Sequence, residues 1–247
     1  MSKQRGTAGG FTLIELLVVI GIIALLISIL LPVLSRAKDQ AARVSCMNNQ
    51  KQMLAACIMY ANDGKGYLPN PNDDSTTVWN GQGWLYDIRR GAKPIPKQEE
   101  VQYGALWPML KNYKIYHCPN DQGPYNMTGI APSHPQTSYL MNWAVGGFGV
   151  GGIITATRPA NKLVRMPPDG IIFWEGDETS GNKDMYSDGT NEPSNGITKR
   201  HGNGASVSRF DGGVEWLTRK QYAEEEKKRP GRLYCNPEAK DGYKMLM

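Results

Sequence analysis

The chain holds only three histidines, His117, His134 and His201, in 247 residues. A catalytic triad or a histidine-rich metal site needs several convergent donors, and no spacing among these three supplies one. Charge of one sign is equally scarce. Lys and Arg total 28 against 23 Asp and Glu, a formal charge of +5. A surplus that small and that scattered excludes the basic face of a nucleic-acid binder. Glycine and proline are nearly missing from the start of the chain: of 28 Gly and 16 Pro, four and one precede residue 63. Beyond that point they make up about a fifth of the residues, which excludes a helical bundle and favours short strands joined by turns. The 40% hydrophobic content excludes a fully disordered chain.

What the beginning has instead is one long apolar run. Phe11 to Leu31 reads FTLIELLVVIGIIALLISILL, interrupted by Thr12, Glu15, Gly21 and Ser28 alone. As a helix it is about 31 Å long, close to the hydrocarbon thickness of a bilayer. A buried core helix of a soluble domain would show a polar face, and this run has none. Lys3 and Arg5 precede it and no acid does, so the N-terminus is expected to stay cytoplasmic and the rest to lie across the membrane. A secretory signal has a shorter apolar core followed by a small-residue cleavage site. Ser35-Arg36-Ala37 is a poor version of that site, and the better cut lies before the run, at Gly9-Gly10-Phe11.

Gly10-Phe11-Thr12-Leu13-Ile14-Glu15, with Pro32 further on, resembles the N-terminus of type IV pilins and of type II secretion pseudopilins. The resemblance implies cleavage after Gly10 by a prepilin peptidase and N-methylation of the new terminus, Phe11. It implies an inner-membrane assembly platform and homologous pilin-like subunits as partners. A carboxylate at membrane depth costs about 2.5–3.5 kcal/mol, so Glu15 needs a partner or a function. The resemblance supplies one, the Phe11 amine of a neighbouring subunit. Phe11, Glu15 and Pro32 are thus the expected assembly residues.

Pro32 is expected to kink or locally melt the helix. Helix-forming residues resume at once, and Val33 to Asp63 reads as its continuation, with Ala37, Ala41, Val44, Met47, Leu54 and Ile58 as an interrupted apolar stripe. After Gly64 the pattern shortens. Tyr103 to Asn112 suits a short helix. Candidate strands are 138–143, 170–174, 205–210 and 214–217, the last two joined by a hairpin at Asp211-Gly212. Thr218 to Arg229 reads as a charged, exposed helix, and 146–152 and 176–196 as loops. The expected organisation is a leader at 1–10, a transmembrane half-helix at 11–31, an extracytoplasmic half-helix at 32–63 and a loop-rich head at 64–247. The expected fold class is α+β, a long N-terminal helix on a small antiparallel sheet, pilin-like.

His201, nine residues, then Asp211-Gly212 resembles the H-X9-DG segment of a subset of bacterial prepilin-like proteins. Cys46 to Gln52 (CMNNQKQ), Tyr60 to Pro69, Cys118-Pro119 and Ser138-Tyr139 resemble the same subset. The family's frequent histidine after Asp-Gly is replaced here by Gly213. From the residues themselves, His201 and Asp211 are either a metal or acid–base pair, or a loop histidine beside an aspartate that shapes a turn. Glu175, Asp177, Glu178, Asp184 and Asp188 cluster in one glycine-containing stretch. Asp177, Asp184 and Asp188 are weak calcium candidates, without EF-hand spacing; a solvated acidic loop is the plainer reading. Cys46 and Cys57 share a helix face but lie about 16 Å apart along the axis, too far to bond each other. Bridges to Cys118 and Cys235 in either pairing, or four buried free thiols, remain the alternatives. No catalytic residue and no further cofactor is expected. The expected function is a structural, pilin-like subunit of a secretion or pilus-like filament; the alternatives are a minor tip subunit with a binding head and a membrane-anchored periplasmic enzyme.

Overall fold

The computed structural model describes residues 12–72, 82–87, 98–121, 136–146, 162–177, 189–237 and 239–242. By their internal packing, residues 1–41 and 42–247 form two units. The first helix, α1 (Leu13–Asp63), is 51 residues long and contributes to both.

In the first unit α1 begins with a reciprocal cap. Thr12 N and Oγ1 both donate to Glu15 Oε2 at 2.8 Å, and Glu15 N donates back to Thr12 Oγ1 at 3.3 Å. This is the Ser/Thr-x-x-Glu box that satisfies free N–H groups at a helix start. The helix then runs without a break through Pro32, so local melting there is not found. Its most apolar stretch of 18 residues has a mean hydropathy of 3.2 and no buried residue. Among the described residues this is the one helix long and apolar enough to cross a membrane.

In the second unit α1 turns one face inward: Ala42, Cys46, Asn49, Gln50, Met53, Leu54, Cys57 and Ala61 are buried. That face recurs at three- and four-residue steps, but it is not the stripe expected from apolar residues alone. Val44 is exposed, whereas Asn49 and Gln50 are inside. The sheet supplies their hydrogen bonds. Gln50 Nε2 donates to Ser206 O and Oγ, and Asn49 Nδ2 donates to Lys114 O, His117 O and Tyr139 Oη.

The sheet has five strands: β1 (Tyr139–Asn142), β2 (Ile171–Glu175), β3 (Thr190–Asn191), β4 (Gly204–Arg209) and β5 (Val214–Thr218), in the order β3-β1-β2-β4-β5. It is mixed rather than antiparallel, because β3 pairs with β1 in parallel. That short strand lies in a stretch expected to be loop. It is made possible by Gly189, whose φ of +66° and close neighbours Leu85 and Trp84 leave no room for a Cβ. The helix expected at 103–112 shortens to the one-turn α2 (Trp107–Leu110), flanked by two 3-10 turns, Gln98–Tyr103 and Tyr113–Tyr116. The last helix, α3 (Arg219–Glu226), carries a Thr218–Gln221 capping box. It is charged but not wholly exposed, since Tyr222 is buried and donates to Pro193 O.

Both faces of the sheet are covered. Tyr139, Met141, Ile172 and Phe173 pack with Met53, Leu54 and Cys57 of α1, in one core with Trp84 and Tyr116. Ile171, Trp174, Ala205, Val207 and Leu217 pack with Tyr222, Leu233 and Tyr234 in another. The fold class is α+β, a five-stranded mixed sheet and a long N-terminal helix that is apolar in its first half.

Candidate functional site

Strand β2 reads IIFWE, four apolar residues ending in a carboxylate. Its register against β4 slips between Ile171 and Phe173. A bulge puts two successive side chains on one face, and here Ile172 and Phe173 both join the core shared with α1. Regular alternation then resumes: Trp174 points to the opposite core and Glu175 returns to the α1 face. A fully buried carboxylate thereby meets the helix at Cys46.

Three segments bring donors to the same point. Cys46 comes from α1, Cys118 from just after the 113–116 turn, and His201 from the turn that leads into β4. His201 Nε2 lies 3.1 Å from Glu175 Oε1, 3.2 Å from Cys118 Sγ and 3.4 Å from Cys46 Sγ. The four donor atoms all lie within 4.8 Å of one another, and all four residues are buried. Glu175 Oε2 is already engaged, accepting from Ser206 N at 2.9 Å and Ser206 Oγ at 2.8 Å. Cys118 N donates to Ser138 Oγ, which donates to Asp121 Oδ2; Asp121 also pairs with Arg200. Trp216 packs edge-on against the His201 ring at 5.9 Å, and the Arg43 guanidinium lies 3.8 Å over Trp216. His201 Nδ1 has no hydrogen-bond partner among the described residues.

The electrostatics follow from these contacts. The hydrogen bond from Cys46 holds the Cys118 thiol down to about 6, against burial and with help from His201. The same bond pushes Cys46 well up, together with burial and the Glu175 charge. Burial pulls His201 down, but Cys118 and Glu175 outweigh it and raise it to about 10. Burial pushes Glu175 up, and the His201 and Ser206 hydrogen bonds more than reverse that, leaving it below its ordinary value. Cys118 and Glu175 are thus lowered, and Cys46 and His201 raised, by one another's presence.

This arrangement is unlike a cysteine–histidine–acid catalytic triad. A triad base uses one ring nitrogen for the nucleophile and the other for the orienting acid. Here Nε2 faces Cys118 and Glu175 together, and Cys118 is 2% exposed.

Asp211 is not part of the site. It sits past the far end of β4 from His201, where its Oδ1 accepts from Gly213 N at 2.8 Å and its carboxylate pairs with Arg209. Gly212, at φ +93°, closes the turn by donating its N–H to Arg209 O. The histidine and the Asp-Gly pair therefore perform separate tasks. Of the calcium candidates, Asp177 lies 3.9 Å from the Arg219 guanidinium, a cation already supplied by the chain. Asp184 and Asp188 lie outside the described residues, as do Glu178, His134, Gly10 and Phe11. The four cysteines are buried free thiols and form no bridge. Cys57 and Cys235 lie in the apolar core, where burial raises both thiols, Cys235 to about 12.

In the sequence Glu175 reads as part of the acidic stretch 175–188 rather than of this cluster. The signal that marks it is its place at the end of an unbroken apolar strand. Glu15 carried a second legible signal, the Thr-x-x-Glu spacing of a cap. Compared with family models, curated proteins and solved structures, the chain matches none.

Proposed function

We propose that this chain is a pilin-like structural subunit whose work is assembly. A prepilin peptidase cuts after Gly10, and Phe11 becomes the methylated terminus. The apolar half of α1 holds the processed subunit in the inner membrane, with the head on the periplasmic or extracellular side. An assembly platform then moves subunits from the bilayer into a type II secretion or type IV pilus-like filament, in which helices bury their apolar surfaces against one another.

The observation that carries this reading is the start of α1. Leu13, Ile14, Leu25, Leu26, Ile29, Leu30 and Leu31 are each more than 60% exposed. So large an apolar surface calls for lipid or the helices of sibling subunits. Glu15 is the one ionisable side chain from Leu13 to Ser35. Pairing with the Phe11 amine of a neighbour would set the axial step between subunits.

The test is peptide mass of the membrane-extracted native protein. The expected N-terminal peptide begins at Phe11 and carries one added methyl. A chain still beginning at Met1 or Ser2, in cells with an active prepilin peptidase, overturns the proposal.

A further inference from the structure

We infer that Cys46, Cys118, Glu175 and His201 form a closed, structural zinc site in the second unit, residues 42–247. The argument starts at His201 Nε2, which has two sulfur atoms and a carboxylate oxygen within 3.4 Å. A ring nitrogen carries at most one proton. If Nε2 carries it, one N–H must be divided among three acceptors. If it does not, its lone pair faces the lone pairs of Glu175 Oε1. All four side chains are buried, so water is a poor substitute partner. A dication at the centre resolves every contact at once, because each atom then becomes a ligand.

The three edges that meet at His201 Nε2 agree with this. Tetrahedral zinc, with bonds of about 2.3 Å to sulfur and about 2.0 Å to nitrogen and oxygen, has S–N edges of about 3.5 Å and N–O edges of about 3.3 Å. The corresponding distances here are 3.4, 3.2 and 3.1 Å. Two thiolates, an imidazole and a carboxylate suit zinc, whereas calcium and magnesium select all-oxygen sets. Four protein donors leave no open position, which makes the site structural rather than catalytic.

The surroundings also suit ligation. Ser206 occupies Glu175 Oε2 through its N and Oγ, leaving Oε1 to face the cluster as a single donor. Gln50 fixes Ser206 in turn. The His201 ring is held by the edge contact with Trp216 rather than by a bond at Nδ1. His201 is separated by 155, 83 and 26 positions from Cys46, Cys118 and Glu175, so one ion would cross-link α1, the 113–118 segment, β2 and the approach to β4.

The inference stands on residues of the second unit and is independent of processing at Gly10. The full chain, untagged and purified in detergent, is assayed for zinc by elemental mass spectrometry after gel filtration. It is then exchanged with cobalt(II) and read by absorption. The expected result is about one zinc per chain, and a tetrahedral cobalt spectrum with thiolate charge transfer. Cys57→Ser should leave both unchanged, and Cys118→Ser should abolish both. Ser206→Ala, which keeps all four ligands, should lower zinc affinity about 10–100-fold. A wild-type chain that takes up no zinc after thiol reduction overturns the inference. So does a Cys46–Cys118 disulfide in the native protein, or a Cys118→Ser chain with an unaltered cobalt spectrum.

Discussion

Between Leu13 and Leu34, α1 exposes its large apolar side chains; from Ala42 onward it buries Cys46, Asn49, Gln50, Met53 and Leu54. The same regular helix thus shows leucine and isoleucine to its surroundings in one unit and hides amides in the other. In the first unit the helix past its capped first turn satisfies its own backbone, and the side chains suit a hydrocarbon solvent. In the second, each inward amide meets a specific acceptor, so burial is permitted by geometry and not by hydrophobicity. Apolar periodicity alone therefore locates the helix in both units, but in the second it meets the buried face only at Leu54 and, half-buried, Ile58.

The sharpest way to break this contrast is at the buried cluster. His201→Ala leaves Glu175 buried without the group it faces, which should cost about 3–5 kcal/mol. The head's denaturant midpoint should fall steeply while membrane fractionation stays as in wild type. Next comes the apolar half. Leu26→Lys places a charge near the middle of the run and should penalise insertion by about 2.5–3.5 kcal/mol. A glycosylation-based insertion assay should show the loss, with the head's thermal transition unmoved. Leu54→Ala, by contrast, should cost about 2–5 kcal/mol in the head and nothing in insertion. If Leu54→Ala instead impaired insertion, the division of α1 into two regimes would fail.

Smaller effects sharpen the edges. Thr12→Ala removes the cap and should weaken the first turn by about 0.5–2 kcal/mol, read as faster amide exchange at residues 13–16. The smallest change is expected at the hairpin. The Gly213 N–H holds the Asp211 carboxyl below its ordinary 3.8, against slight desolvation and with help from Arg209. A carboxyl lowered in the folded state contributes stability above its unfolded pKa and loses it as pH falls through the folded value. Asp211→Asn keeps the turn acceptor, so stability at neutral pH should barely change. The acid-side slope of an unfolding titration below about pH 4 should flatten.

Local patterning made much of the fold legible. α1, four of five strands and the β4–β5 hairpin lie within a residue or two of expectation, because each is written in contiguous apolar runs and turn residues. β3 was not legible: two residues, Thr190–Asn191, become a strand only because Gly189 allows the chain to approach Trp84 and Leu85. The candidate site was legible in pieces. Cys46 and Cys118 are legible as bridge or free-thiol candidates, and His201 as a metal, acid–base or turn residue, but paired with Asp211 rather than with the cysteines. Nothing local states that a bulge at Ile172 sets Glu175 on the α1 face, and that register decides the convergence. Asn49 and Gln50 were hidden for a related reason, since their acceptors lie far along the chain.

The spacing from His201 to Asp211 acquires a plain geometric meaning. Six strand residues, Gly204–Arg209, separate the histidine's turn from the aspartate's turn, a span of about 20 Å. The nine-residue interval is therefore a ruler for one hairpin arm. Deleting a single residue within it would turn Ser206 and Ser208 to the opposite face and strand Gln50 without its acceptors. A sequence pattern of this kind identifies a strand of set length, and the chemistry at its near end depends on three residues that the pattern does not mention.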